Sequence, residues 1–113
     1  MHEMSLAEGV RSIIEDAAAA NGFGRVRRVI LEIGELATVE VDALRFCLEV
    51  VLQDTPAAGA SIVVEPIAGA GWCPVCATAA PMHARYEACP HCGSYQLDVT
   101  AGDEMRVKAL DVD

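Results

Sequence analysis

The chain reads as an α+β protein: a small three-stranded sheet with two helices, plus an inserted zinc-ribbon subdomain. Three observations carry that reading. Two amphipathic helical stretches alternate with two strand-like runs over residues 5–65. Two Cys-x-x-Cys pairs follow, Cys73-Pro74-Val75-Cys76 and Cys89-Pro90-His91-Cys92, with twelve residues between them. A third strand-like run, Glu104 to Val112, lies beyond the second pair. The α-β-α-β start cannot bury both helical stripes with two strands, so the last run is expected to return and complete their sheet. Residues 1–68 and 101–113 then make one α/β domain, and residues 69–100 are the insertion.

In chain order, Ser5-Leu6-Ala7-Glu8 has the pattern of a capping box and predicts a helix start near Ser5. Leu6, Val10, Ile13, Ile14 and Ala17 form its apolar stripe, and Asn21-Gly22 its stop. Arg25 to Ile33 is a strand, with Val29, Leu31 and Ile33 on one face and Arg28, Ile30 and Glu32 on the other. Gly34-Glu35 breaks it. A second helix runs from about Val39 to Gln53, its stripe formed by Leu44, Cys47, Leu48 and Val51. Cys47 lies inside that stripe and reads as a small core hydrophobe rather than a fifth metal ligand. Thr55 to Ala60 is a Pro/Gly turn, and Ser61 to Glu65 a second strand ended by Pro66. Gly69-Ala70-Gly71 reads as a flexible neck. Leu97 to Thr100 is a short strand, and Ala101-Gly102-Asp103 turns the chain. In the final strand Met105, Val107 and Ala109 alternate with Arg106 and Lys108. The phase then slips to Leu110 and Val112, which predicts a bulge or burial on both faces.

With 113 residues, 53 % of them hydrophobic, the chain holds one modest core and is not disordered. No apolar run approaches the roughly 20 residues of a membrane span. The N-terminus has no Lys or Arg ahead of an apolar block, so no secretory signal is expected. Five cysteines, four of them in metal spacing, fit a reducing cytoplasm. The formal charge is −9, and Zn²⁺ on four thiolates adds −4 and +2, a further −2. Eight Lys and Arg residues are scattered among seventeen acids. That surface opposes nucleic acid, whose phosphates require clustered cations, and is compatible with handling cations.

The paired cysteines aim four sulfurs at one point, the tetrahedral set of a zinc ribbon. Two disulfides or a thioredoxin-type pair are the alternatives, but two paired Cys-x-x-Cys turns are seldom redox-active. Iron can occupy the same thiolates, so the spacing names a metal site before it names the metal. Gly93 suits the positive φ of such a turn. Four cysteine ligands close the coordination shell, and the sequence offers no base–nucleophile pair and no phosphate-cradling glycine loop. The chain therefore does not read as an enzyme.

Met1-His2-Glu3 has a separate chemistry. A bulky second residue blocks removal of the initiator Met, so the chain is expected to start at Met1. The Met1 amine, the His2 amide nitrogen and the His2 imidazole can close fused chelate rings, an arrangement suited to Ni²⁺ and Cu²⁺. A lone His2 would ordinarily be a frayed end. Glu40 and Asp42, in the first turn of the second helix, ordinarily complement its dipole. His83 and His91 read as surface residues near the ribbon.

Set together, Met1-His2-Glu3, Leu31-Glu32-Ile33-Gly34-Glu35, Leu44-Arg45-Phe46, the two cysteine pairs and Gly102-Asp103-Glu104-Met105-Arg106-Val107-Lys108 give a further reading. Over essentially its whole length the chain resembles the HypA/HybF family of nickel metallochaperones, which serve maturation of [NiFe] hydrogenase. The resemblance implies that Ni(II) is the transported ion, bound through His2 with contributions from Glu3. It also implicates Glu40, at a position where other members carry Asp. It implies a structural Zn(II) held by Cys73, Cys76, Cys89 and Cys92. The implied partners are a nickel-binding GTPase accessory protein and the [NiFe] hydrogenase large-subunit precursor, in the cytoplasm, with no nucleic acid and no membrane. A loose terminal site suits an ion that must be released. Because imidazole and amide nitrogens shed protons on binding, nickel affinity is expected to fall as pH drops through the ordinary imidazole range near about 6.5.

Overall fold

The fold is that of a computed structural model, which describes residues 2–113. Helix α1 (Glu3–Asn21) starts ahead of its apparent capping box. Its N-cap is His2, whose carbonyl accepts the Leu6 N–H at 2.9 Å. Ser5 lies in the first turn instead of at the cap, and the buried Glu3 is the first helical residue. Ala7, Val10 and Ile14 are buried, while Ile13, expected in the stripe, is 48 % exposed.

Strand β1 (Val26–Gly34) buries Val29, Leu31 and Ile33 on one face, as the alternation predicts, and Val26 at its start is buried as well. Helix α2 (Val41–Val51) begins two residues later than Val39, with Glu40 as its extended N-cap. Strand β2 (Ser61–Ile67) continues through Pro66 rather than stopping there. The sheet order β2-β1-β6 makes β2 an edge strand, where proline's missing N–H does no harm. Strand β6 (Met105–Val112) completes this sheet as expected. Its burial rhythm slips at Ala109, which is exposed, and Leu110 and Asp111 are half-buried in succession.

A second three-stranded sheet, ordered β4-β3-β5, comprises β3 (Ala70–Cys73), β4 (Thr78–Pro81) and β5 (Asp98–Ala101). Strands β3 and β4 form a hairpin pairing Ala70 with Pro81 and Cys73 with Thr78. The supposed flexible neck is thus part of a strand. Its glycines are there for close approach: a Cβ on Gly69 would lie 2.2 Å from the Met82 carbonyl oxygen.

The chain divides into two compact units, residues 1–31, 39–64 and 107–113 in one, 32–38 and 65–106 in the other. The first has a core of Val10 and Ile14 from α1, Val29 and Leu31 from β1, and Leu44 and Leu48 from α2. Two contacts order its helices. The Glu3 carboxylate meets the start of α2, and the Arg11 guanidinium donates to the Val51 carbonyl at its end. The two helices therefore run side by side in the same direction. The second unit buries Ile33, Leu36, Ala80, Met82, Cys73 and Cys89.

Candidate metal centres

The four cysteines converge. Cys73 Sγ lies 3.6 Å from Cys92 Sγ, and Cys76 Sγ lies 3.8 Å from Cys89 Sγ. All four sulfurs fall within 4.8 Å of one another. Metal–sulfur bonds of about 2.3 Å in tetrahedral array require sulfurs about 3.8 Å apart. A disulfide needs about 2.05 Å. The donor set therefore fits a tetrahedral metal such as zinc, and the disulfide alternative is excluded.

Local structure explains the convergence. Cys73 ends β3, and the hairpin loop 74–77 carries Cys76 back beside it. Ala77, following the first pair, has φ 54°, and Gly93, following the second, has φ 79°. The same left-handed step thus closes both turns, with glycine in one and a mildly strained alanine in the other. At the second turn Cys89 N–H donates to Ser94 O and Gly93 N–H to Cys89 O.

The surroundings push the thiols of Cys89 and Cys92 in opposite directions. Burial raises Cys89, but the N–H groups of His91 and Cys92, with the Cys76 and Cys73 thiols, outweigh it and pull its pKa down to about 6. At Cys92 the Ser94 N–H lowers the pKa. Burial and the thiols of Cys73, Cys76 and Cys89 overcome it and push the group up to about 12. A divalent cation resolves this conflict, and its binding releases protons. Thr78, unremarked in the sequence, places its hydroxyl 2.9 Å from Cys76 Sγ, where it can donate to the sulfur.

The N-terminal residues assemble differently. Glu3, 6 % exposed, accepts the Glu40 N–H at 3.2 Å through Oε2. In a capping box that bond comes from the helix's own third residue; α2 has Ala43 there, and Glu3 of α1 supplies it instead. The Glu40 N–H holds the Glu3 carboxyl below its usual range against the opposing effect of burial. Exposed His2 is adjacent in sequence, so the fold brings Glu3 and Glu40 together with His2 beside them. Among the described residues, the cysteines are the group whose donor atoms converge to metal-binding distance. The expected Met1 amine ligand lies outside the described residues.

Asp42 is exposed in the first turn of α2, and Cys47 is a half-buried free thiol. The His91 N–H donates to Cys89 Sγ at 3.4 Å, so the backbone of this residue, rather than its exposed imidazole, serves the sulfur. His83 has a partner that sequence reasoning missed. Its Nδ1 is 2.9 Å from Glu35 Oε2, and Glu35 Oε1 accepts the Gly69 N–H at 2.9 Å. Glu35 raises His83. The Gly69 N–H, and then His83, hold Glu35 below the usual carboxylate range.

No helix among the described residues is long and apolar enough to cross a membrane. The profile of a family described as "Hydrogenase/urease nickel incorporation, metallochaperone, hypA" matches residues 1–112. A hydrogenase maturation factor HypA from Azoarcus sp. strain BH72 is 63 % identical over 110 residues, covering 97 % of this chain and 96 % of the relative. The factor of the same name from Rhodopseudomonas palustris strain BisA53 is 55 % identical across the whole of both chains. The solution structure of the Ni metallochaperone HypA from Helicobacter pylori superposes with a TM-score of 0.74 at 24 % identity, covering 99 % of this chain and 97 % of that one. These are maturation factors rather than catalysts. The chain belongs to the HypA family of nickel-incorporation metallochaperones for hydrogenase maturation.

Proposed function

We propose that this chain carries Ni(II) at its N-terminus and delivers it, in the cytoplasm, for maturation of [NiFe] hydrogenase. His2 provides the imidazole and amide nitrogens, and Glu3 and Glu40 lend carboxylate charge beside them. The thiolates of Cys73, Cys76, Cys89 and Cys92 hold a Zn(II) that shapes the protein and does not travel. Carriage belongs to residues 1–68 and 101–113, and shape to the inserted ribbon, residues 69–100. A nickel-binding GTPase accessory protein and the hydrogenase large-subunit precursor are the partners in delivery.

The observation that supports this reading best is the Glu3–Glu40 hydrogen bond. It fixes the first turn of α1 against the start of α2 and leaves His2 exposed at the helix cap. A site so open has few enforced contacts, as an ion handed onward requires. Calorimetry of Ni²⁺ into the zinc-loaded His2→Ala variant tests it. Nickel binding is expected to be lost with zinc content and helicity unchanged, and wild-type nickel affinity would sink the assignment.

A further inference from the structure

The two cysteine turns supply hydrogen bonds to their sulfurs in different ways. In the second pair the donors are main chain. The His91 N–H reaches Cys89 Sγ at 3.4 Å, the Cys92 N–H serves the same sulfur, and the Ser94 N–H serves that of Cys92. In the first pair a side chain does this: the Thr78 hydroxyl lies 2.9 Å from Cys76 Sγ. A thiol and a hydroxyl can share such a bond in either sense. A metal-bound thiolate has no proton to give, so in the loaded site Thr78 is the donor and the bond is charge-assisted.

Strand register puts the hydroxyl there. Thr78 is the first residue of β4 and pairs with Cys73, the last of β3. Directly paired residues carry their side chains on one face of a sheet, and on that face Cys73 brings its sulfur to the other three. The next pair, Trp72 with Ala79, belongs to the opposite face. Charge gives the bond its effect. Four thiolates around a divalent ion keep a net negative charge, and each donor aimed at a sulfur offsets part of it. We propose that the Thr78 hydroxyl is a positioning group of the cysteine cage, holding the Cys76 thiolate in place and so keeping the structural ion resident. The inference rests on the zinc reading under "Proposed function". Strand preference offers a different account of Thr78, since threonine suits any strand. The two accounts part at valine, which is also β-branched and strand-favouring but has no hydroxyl. Thr78 is exposed, so replacing it leaves the core untouched.

The test compares wild-type, Thr78→Val and Thr78→Ser full chains in two measurements. In chelator competition for Zn²⁺, Thr78→Val is expected to hold the ion about tenfold more weakly, and Thr78→Ser to match the wild type. With Co²⁺ in place of Zn²⁺, the sulfur-to-metal charge-transfer band is expected at longer wavelength in Thr78→Val than in the other two, because a sulfur without its donor releases electron density more readily. Equal affinity and an unmoved band in Thr78→Val overturn the inference and leave the four-cysteine site standing. A loss that serine shares in full with valine overturns it too, because the hydroxyl is then not what matters. A wild type that yields no thiolate charge-transfer band overturns the zinc reading and this inference together.

Discussion

His2 occupies a position that helix energetics would give to another residue. N-caps favour Asn, Asp, Ser and Thr, whose side chains accept a backbone N–H of the first turn, and His2 makes no such bond. His2→Asp is therefore expected to stabilise α1 by about 0.5–1 kcal/mol while abolishing nickel binding. Thermal unfolding and nickel calorimetry on one preparation check the two effects, and lower stability would reveal a structural role for the imidazole. Glu35 and His83 give a pH prediction. His83 is raised, so its contribution to stability is fully present below the unfolded imidazole value and is lost as pH climbs through the folded value, above 6.5. Glu35 is lowered, so its share is present above the unfolded carboxylate value and is lost as pH falls through the folded one. The clasp is strongest between those limits. An NMR titration is expected to show the His83 midpoint dropping in Glu35→Gln, and an unmoved midpoint would contradict the contact. The four clustered cysteines were legible in the sequence because coordination chemistry fixes their spacing. The Glu35–His83 pair was not, since 48 positions separate its members and no local pattern links them.

Among the elements, the strand ends meet at three glycines. A Cβ on Gly34 would lie 2.1 Å from the Gly102 carbonyl oxygen, and Gly102, at φ +80°, has Gly69 Cα 2.6 Å from its own Cβ position. Backbone bonds lock the crossing: Gly34 N–H to Glu104 O at 2.8 Å and Leu36 N–H to Gly102 O at 2.7 Å. The obstructing atoms are main chain and cannot swing aside. Gly34→Ala is accordingly expected to destabilise by about 2 kcal/mol or more. Gly9→Ala, in α1 with nothing within 4 Å, should instead stabilise by about 0.5–1 kcal/mol. Urea unfolding of both distinguishes crowding from a general effect of removing glycine. The sequence marked Gly34 and Gly69 as breakers, but the letter glycine looks the same whether it frees the chain or lets two backbones touch. Strand β4 was missed for a related reason. Thr78-Ala79-Ala80-Pro81 has weak strand character, and its pairing with β3 is dictated by the cysteine turn between them.

For the molecule as a whole, the unit that holds the cysteines has a small apolar core, with two of the ligands among its buried residues. Metal must supply much of its stability, since structural zinc in small sites has an apparent binding energy of about 10–16 kcal/mol. A chelator is expected to remove hydrogen-exchange protection from β3, β4 and β5 and to change the fluorescence of Trp72, the chain's single tryptophan. Far-UV helicity from α1 and α2 should persist. Retained protection in the chelated ribbon would show that its side chains suffice. The cysteine sulfurs also differ in their access to solvent. Cys73 and Cys89 are buried, Cys76 is half-buried and Cys92 is exposed. With metal bound all four are thiolates, so access alone ranks them. A thiol-directed electrophile diffusing in meets Cys92 before the other three ligands. Ejection of the ion under chemical attack then begins at the chain's last cysteine, and mass spectra of a briefly alkylated sample record the adduct there before any at Cys73.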